Sequence, residues 1–419
     1  MRIFFSVGEP SGDLHGSNLI KQLKNRQPDI TCVGFGGPKM AAAGCEILFD
    51  LTSMGVMFLW DAIRNLRFFF GWVAKADKLF EQQQIDAVVL IDYPGFNWWI
   101  AKKAKKRGIP VFYYGVPQVW AWAPWRIKKI RKYVDHVLCK LPFEVPWFRQ
   151  RDCMATFVGH PYFDQLVNQS FDEAFASTLP EQDKLVVLPG SRDREVENVL
   201  PTLIKAAEIV SAENECSVLI AAYNDKQASV ARRMLQSSRL DARIYSGRTP
   251  ELMRAAKVCL ACSGSVSLEL LYHRKPTVIL FKVKKWAMVV QSFLLRTRFI
   301  TLVNLIAAND IRKTTWRPFD PDHPQSEDAV MPEYLTTGDV SGSVARWANQ
   351  WLANPDQYQS KVVQMEQLAN EFCRPGATER AAKYILDCLI NSADVSTVSA
   401  ARKLSAKQLE NPMSENDAA

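Results

Sequence analysis

The chain alternates short apolar runs with longer amphipathic stretches. Runs at residues 3–7, 31–35, 87–91, 111–114 and 136–138 have the length and the branched or aromatic content of buried strands. Apolar residues recur at helical spacing between them. The pattern resumes at 185–188, 218–221, 258–260 and 277–280. Strands alternating with helices predict an α/β fold with mainly parallel sheets, here as two doubly wound, Rossmann-like domains with a cleft between them. Residues 169–183 are polar, with few aliphatics, and read as a linker. The expected division is a first domain over 1–168, a second over 184–345, C-terminal helices over 346–390 and a disordered tail over 391–419. Residues 312–331, rich in Pro, Asp and Thr, read as a loop or lid.

In such sheets ligands bind beyond the carboxyl ends of the strands, so the residues there are the candidates. Residues 3–7 run into Gly8-Glu9-Pro10-Ser11-Gly12-Asp13, a loop that opens a helix near Asp13. Its glycines do not form a G-x-G-x-x-G fingerprint, which disfavours a nicotinamide or flavin dehydrogenase. Asp92 emerges from the run 87–91 into Tyr93-Pro94-Gly95-Phe96-Asn97. It is either a helix-start device or a catalytic carboxylate facing the cleft. Gln118 ends the next strand beside the same cleft.

In the second series Pro189-Gly190-Ser191-Arg192 precedes a long helix. Gly190 and Ser191 allow close backbone approach, and the planar fork of Arg192 matches two oxyanions of a diphosphate. The turn Ser263-Gly264-Ser265-Val266-Ser267-Leu268-Glu269 joins a buried strand to a helix. Gly264 lets a ligand approach the backbone, Ser265 and Ser267 can cap the helix or bond an oxyanion, and the helix N-terminus suits phosphate. Glu269, one turn on, could accept from two ribose hydroxyls. An ordinary βα turn with a serine cap would read the same way.

Composition narrows the partners. The chain has 419 residues, twelve Trp, 22 Phe and a net charge of +8, which favours an anionic partner. Nine scattered Cys offer no zinc-site spacing and read as reduced thiols. Residues 1–7 read as a strand rather than a leader, and no apolar run reaches the ~18 residues of a membrane span. Three stretches mix apolar or aromatic bulk with cations. The first, residues 58–72, places Leu59, Ile63, Leu66 and Phe70 on one helical face and adds Phe58, Trp60, Phe69 and Trp72, with Arg64 and Arg67 alongside. The others are 120–132 and 286–299. This is the make-up of segments that lie on an anionic membrane, although a helix buried on all sides would read similarly. No nucleic-acid-binding motif accompanies them, so nucleic acid is not expected.

Taken together, residues 8–13, 92–97, 114–122, 188–195, 263–269 and Leu302-Val303-Asn304-Leu305 resemble the lipid-A-disaccharide synthases, glycosyltransferases of the two-domain GT-B type. The resemblance runs from residue 1 to about 390 in the family's order. It departs from the family in a longer 312–331 loop and in the tail. It implies inverting transfer of 2,3-diacylglucosamine from its UDP donor to 2,3-diacylglucosamine 1-phosphate, giving a β(1→6) disaccharide and UDP. It also implies a UDP site in the second domain built from Gly190, Ser191, Arg192, Ser263, Gly264, Ser265, Ser267 and Glu269. Asp92 is the expected general base, with Asp13 and Glu9 as rivals. Ser11, Gly12, Asn97, Gln118 and Asn304 are expected to orient sugar or phosphate. No metal or cofactor is expected. The expected location is cytoplasmic, peripheral to the inner face of the inner membrane of a Gram-negative-type bacterium, with a homodimer left open. The competing readings are a UDP-N-acetylglucosamine 2-epimerase-like isomerase and a non-enzymatic nucleotide-sugar or lipid-binding protein.

Overall fold

The computed structural model of the chain describes residues 1–55, 66–262, 264–312, 319–323 and 329–391. Phe58, Leu59, Trp60, Ile63, Ser263 and the side chain of Leu66 lie outside the described part, as do 392–419 and portions of the 312–331 loop.

Seven parallel strands form the first sheet: β1 Arg2–Val7, β2 Thr31–Gly36, β3 Cys45–Asp50, β4 Ala87–Ile91, β5 Val111–Tyr114, β6 His136–Cys139 and β7 Ala155–Phe157. Their order is β3-β2-β1-β4-β5-β6-β7. Six parallel strands form the second: β8 Lys184–Leu188, β9 Ser217–Ala222, β10 Ala242–Ser246, β11 Val258–Cys262, β12 Thr277–Lys282 and β13 Glu333–Thr336, in the order β10-β9-β8-β11-β12-β13. Central strands such as β4 and β11 are buried along their whole length, because helices cover both faces. Phe4, Val88, Leu90 and Tyr113 pack into one helical layer, while Ile3, Phe5, Val89 and Phe112 pack into the other.

The last described helix, 377–391, is not part of the second lobe's packing. Its Ala381, Ala382, Ile385 and Leu386 close the layer over Ile3, Phe5 and Val89 of the first sheet. Asp164 fixes its start by accepting the backbone N–H groups of Gly376, Ala377 and Thr378 at 2.6, 3.1 and 2.9 Å. Asp164 lies on Tyr162–Val167, a helix on the segment that crosses from β7 to β8. The crossover is therefore pinned to the first lobe while it leads into the second.

Among the described residues no helix is long and apolar enough to cross a membrane.

Candidate active site

Parallel strands put their carboxyl ends on one edge of the sheet. In the first lobe this gathers the ends of β1, β4, β5 and β6, and with them Glu9, Asp92, Gly115 and Lys140. Pro10 opens the helix Pro10–Arg26, earlier than expected, because a first-turn residue needs no N–H partner. Gly12 is a packing requirement: a Cβ there would sit 2.8 Å from Val7 and 3.7 Å from the Asp92 carboxylate.

Asp92 and Tyr93 are both in left-handed backbone, at φ 47° and 42°. Such non-glycine residues are strained, by about 1–3 kcal/mol each, and persist only when their surroundings hold them. Asn97, fully buried, provides that hold. Its Nδ2 donates to the Asp92 carbonyl at 2.8 Å and its Oδ1 accepts from Ser6 Oγ at 2.6 Å. Tyr113 donates a second bond to the Asp92 carbonyl at 2.7 Å. With its backbone carbonyl secured, the Asp92 carboxylate stays at the cleft, 3.8 Å from the Lys140 ammonium. Glu9 stands close by. Burial pushes its carboxyl above the usual range, as does the like charge of Asp92, while Lys140 and Arg192 pull it back. Since Arg192 belongs to the second lobe, the two strand-end clusters face each other.

The second-lobe cluster encloses a cavity of about 490 Å³, lined by Gly190, Ser191, Arg192, Gly264, Ser265 and Glu269 from the expected set and by Tyr162, Gln169, Tyr223 and Thr249 besides. Two helices begin at its wall, Asp193–Glu213 and Val266–Tyr272, so the cavity lies at their positive ends. Gly190 (φ 109°) and Gly264 (φ 153°) turn the chain into those helices. The guanidinium of Arg192 is solvent-facing and bonds Glu195 at 2.9 Å. Glu269 is only 7 % exposed. Burial raises its carboxyl pKa, opposed by bonds from Tyr162 and Gln169. Among the described residues no His, Cys, Asp and Glu cluster has the makings of a metal site.

Four expected ligand contacts take other roles. Asp13 is buried and accepts the N–H groups of Gly37, Lys39 and Met40, each at 3.0 Å, so it caps the helix Pro38–Ala42 rather than serving as a base. Asn97 is spent on the Asp92 turn, as above. Asn304 is fully buried, donating to the Met331 carbonyl and to Glu333 and accepting from the Met331 N–H. The hydroxyl of Ser267 is buried and donates to the Gly264 carbonyl at 2.9 Å. Each of these four side chains is buried and hydrogen-bonded within the protein rather than presented to the cleft. Ser11 and Gln118 are exposed. Lys140 went unpredicted, although the strand-end rule that picked Asp92 would also have picked it.

Two lobes, each a parallel sheet covered by helices, make a GT-B fold. Two solved structures share the architecture: a UDP-N-acetylglucosamine 2-epimerase, with a TM-score of 0.58 at 13% identity over 92% of this chain and 96% of that one, and MurG of Acinetobacter baumannii, with 0.54 at 11% over 92% and 99%. At such identities the likeness is of fold alone. Sequence decides further. The lipid-A-disaccharide synthetase family model matches residues 3–327. The lipid-A-disaccharide synthase of Myxococcus xanthus (strain DK1622) is 30% identical over 396 residues, 93% of this chain and 97% of that protein. The chain belongs to the lipid-A-disaccharide synthase family and is a glycosyltransferase, so the isomerase reading is not favoured.

Proposed function

We propose that the second-lobe cavity holds the UDP of a 2,3-diacylglucosamine donor, and that the first lobe presents 2,3-diacylglucosamine 1-phosphate to it. The acceptor 6-hydroxyl oxygen attacks the anomeric carbon from the face opposite UDP. Its proton passes to the Asp92 carboxylate. The bond from the anomeric carbon to the diphosphate oxygen breaks, and the electron pair leaves with UDP, inverting the centre. Helix N–H groups at 264–266 and the Arg192 guanidinium offset the charge that grows on the diphosphate. Glu269 accepts from the ribose hydroxyls. The observation that carries this reading is the strained, doubly anchored turn that keeps the Asp92 carboxylate at the cleft. Asp92 is preferred over Glu9 because two side chains, Asn97 and Tyr113, hold its carbonyl in the strained turn.

The acyl chains call for a membrane-facing surface, and we place it on the aromatic and cationic faces of both lobes. Phe70 and Trp99 stack edge to face at 5.1 Å over a groove of about 660 Å³ that is also lined by Lys102, Lys106 and Lys132. Phe69 and Trp72 instead pack toward the core, with Trp72 stacked on Phe49 at 4.1 Å. On the second lobe, Trp286 and Phe293 of the helix Lys285–Leu294 are 68 % and 73 % exposed. Such surfaces suit peripheral attachment to an anionic bilayer from the cytoplasmic side.

The test is product analysis by mass spectrometry with the diacylated donor and acceptor. The wild type should yield UDP and the disaccharide. Asp92→Asn should lose ~10²–10⁴ in turnover with UDP affinity kept. Unchanged turnover in that variant removes Asp92 as the base.

A further inference from the structure

The carboxylate assigned above to the ribose is not held by its own lobe. Glu269 Oε2 accepts the Tyr162 hydroxyl at 2.5 Å, and Oε1 lies 3.5 Å from the Gln169 amide nitrogen. Both partners sit on the crossover between β7 and β8, more than ninety residues away in sequence. That crossover is anchored to the first lobe by Asp164, through the start of helix 377–391, and by Arg380, whose Nε donates to the Val158 carbonyl at 2.8 Å. Gly159 makes room for this seat, since a Cβ there would come within 2.6 Å of the Arg380 guanidinium. Tyr162 also lines the cavity itself.

A carboxylate has about four lone-pair sites, so a bond from Tyr162 leaves room for two ribose hydroxyls while fixing the plane of the group. It also matters to charge. Burial favours the neutral form of Glu269, and a neutral carboxyl gives one of its acceptor oxygens a proton. The Tyr162 hydroxyl is the largest influence acting in the other direction.

Resting on the ribose assignment of Glu269, we propose that Tyr162 is a positioning residue for the donor nucleotide. Its hydroxyl, carried by a crossover seated on the first lobe, holds the Glu269 carboxylate oriented toward the ribose. Nucleotide affinity in the second lobe thus depends on how the crossover sits on the first. The groups facing Glu269 are the Tyr162 hydroxyl and Gln169 amide from the crossover, with Arg192 and Glu195 lining the same cavity from the helix Asp193–Glu213.

The experiment is calorimetric titration of UDP into the full chain as wild type, Tyr162→Phe, Glu269→Gln and the double variant, from pH 5 to 8. Phenylalanine keeps the ring in place, and a thermal melt checks that each variant is folded. Gln169→Ala serves as a second variant with a smaller effect in the same direction. Tyr162→Phe should bind UDP about tenfold more weakly, ~1.4 kcal/mol. Removing the hydroxyl takes away an influence that lowers the Glu269 pKa, so affinity should start to fall at higher pH than in the wild type as the solution is acidified. In the double variant, Tyr162→Phe should add nothing to Glu269→Gln. If Glu269→Gln weakens UDP binding while Tyr162→Phe leaves both affinity and pH profile unchanged, the positioning role is wrong and the ribose assignment stands. If Glu269→Gln binds UDP normally, both fall.

Discussion

Replacing Asn97 with alanine tests whether the Asp92 turn is held as described. The side chain is fully buried. It makes two short bonds, from Ser6 Oγ at 2.6 Å and to the Asp92 carbonyl at 2.8 Å, and two longer ones, to the Ser6 and Ile91 carbonyls at 3.2 and 3.3 Å. The short bonds are worth about 1 kcal/mol each, and a buried Ser6 hydroxyl left unpaired costs ~1–3 kcal/mol more. A loss of about 3–5 kcal/mol is large against the 5–15 kcal/mol of a typical domain, though the variant should still fold. The Asp92 carbonyl would keep only Tyr113, too little to sustain two consecutive left-handed residues. A relaxation of about 1 Å in the carboxylate would cost ~10²-fold in turnover. Urea denaturation reads the first effect, and UDP release, measured where both proteins are folded, reads the second. UDP affinity should be unchanged, because the cavity is in the other lobe. An Asn97→Ala protein with wild-type stability and turnover would refute the reasoning. So would one that loses UDP binding along with turnover.

Asp13→Ala should lose about 2 kcal/mol in stability by urea denaturation, as expected for a lost buried cap, while turnover at a permissive temperature stays within a few-fold; a collapse of turnover in a folded variant would return Asp13 to the chemistry. Burial, with Lys140 adding to it, depresses the His15 pKa to about 3. A depressed histidine contributes stability that is present above its unfolded pKa, near 6.5, and is lost as pH falls toward the folded value. Unfolding free energies from urea melts over pH 6.5 to 4 should therefore fall less steeply in His15→Gln, by about 1.4 kcal/mol per pH unit, and comparison with the wild type cancels the opposing effect of the buried Glu144, Glu269 and Glu333. Phe70→Ser with Trp99→Ser should reduce sedimentation with phosphatidylglycerol-containing vesicles and leave UDP affinity intact; unaltered sedimentation would move the membrane contact elsewhere.

The four strands with no clear sequence signal are β3, β7, β10 and β13, and all four are sheet edges. An interior strand is buried on both faces and reads as a continuous apolar run, such as Val-Val-Leu-Ile in β4. An edge strand such as Ala-Arg-Ile-Tyr-Ser in β10 meets solvent and loses that pattern. Position along the chain located the glycine turns at strand ends, with Asp92 and Glu269 beyond them. It misled where a motif's polar residue turns inward. Asp13, Asn97 and Asn304 look the same in sequence whether they face a sugar or a backbone N–H, and only the fold distinguishes the two. Tyr162 had no signal at all, since its partner Glu269 is 107 residues away.

The central claim is a division of labour: nucleotide in the second lobe, base from the first. A crystal structure with UDP bound tests it most directly. The account predicts the ribose hydroxyls within hydrogen-bonding distance of Glu269, and the diphosphate over the backbone of residues 264–266 and 190–192. UDP seated instead on the Gly8–Asp13 loop of the first lobe would contradict it.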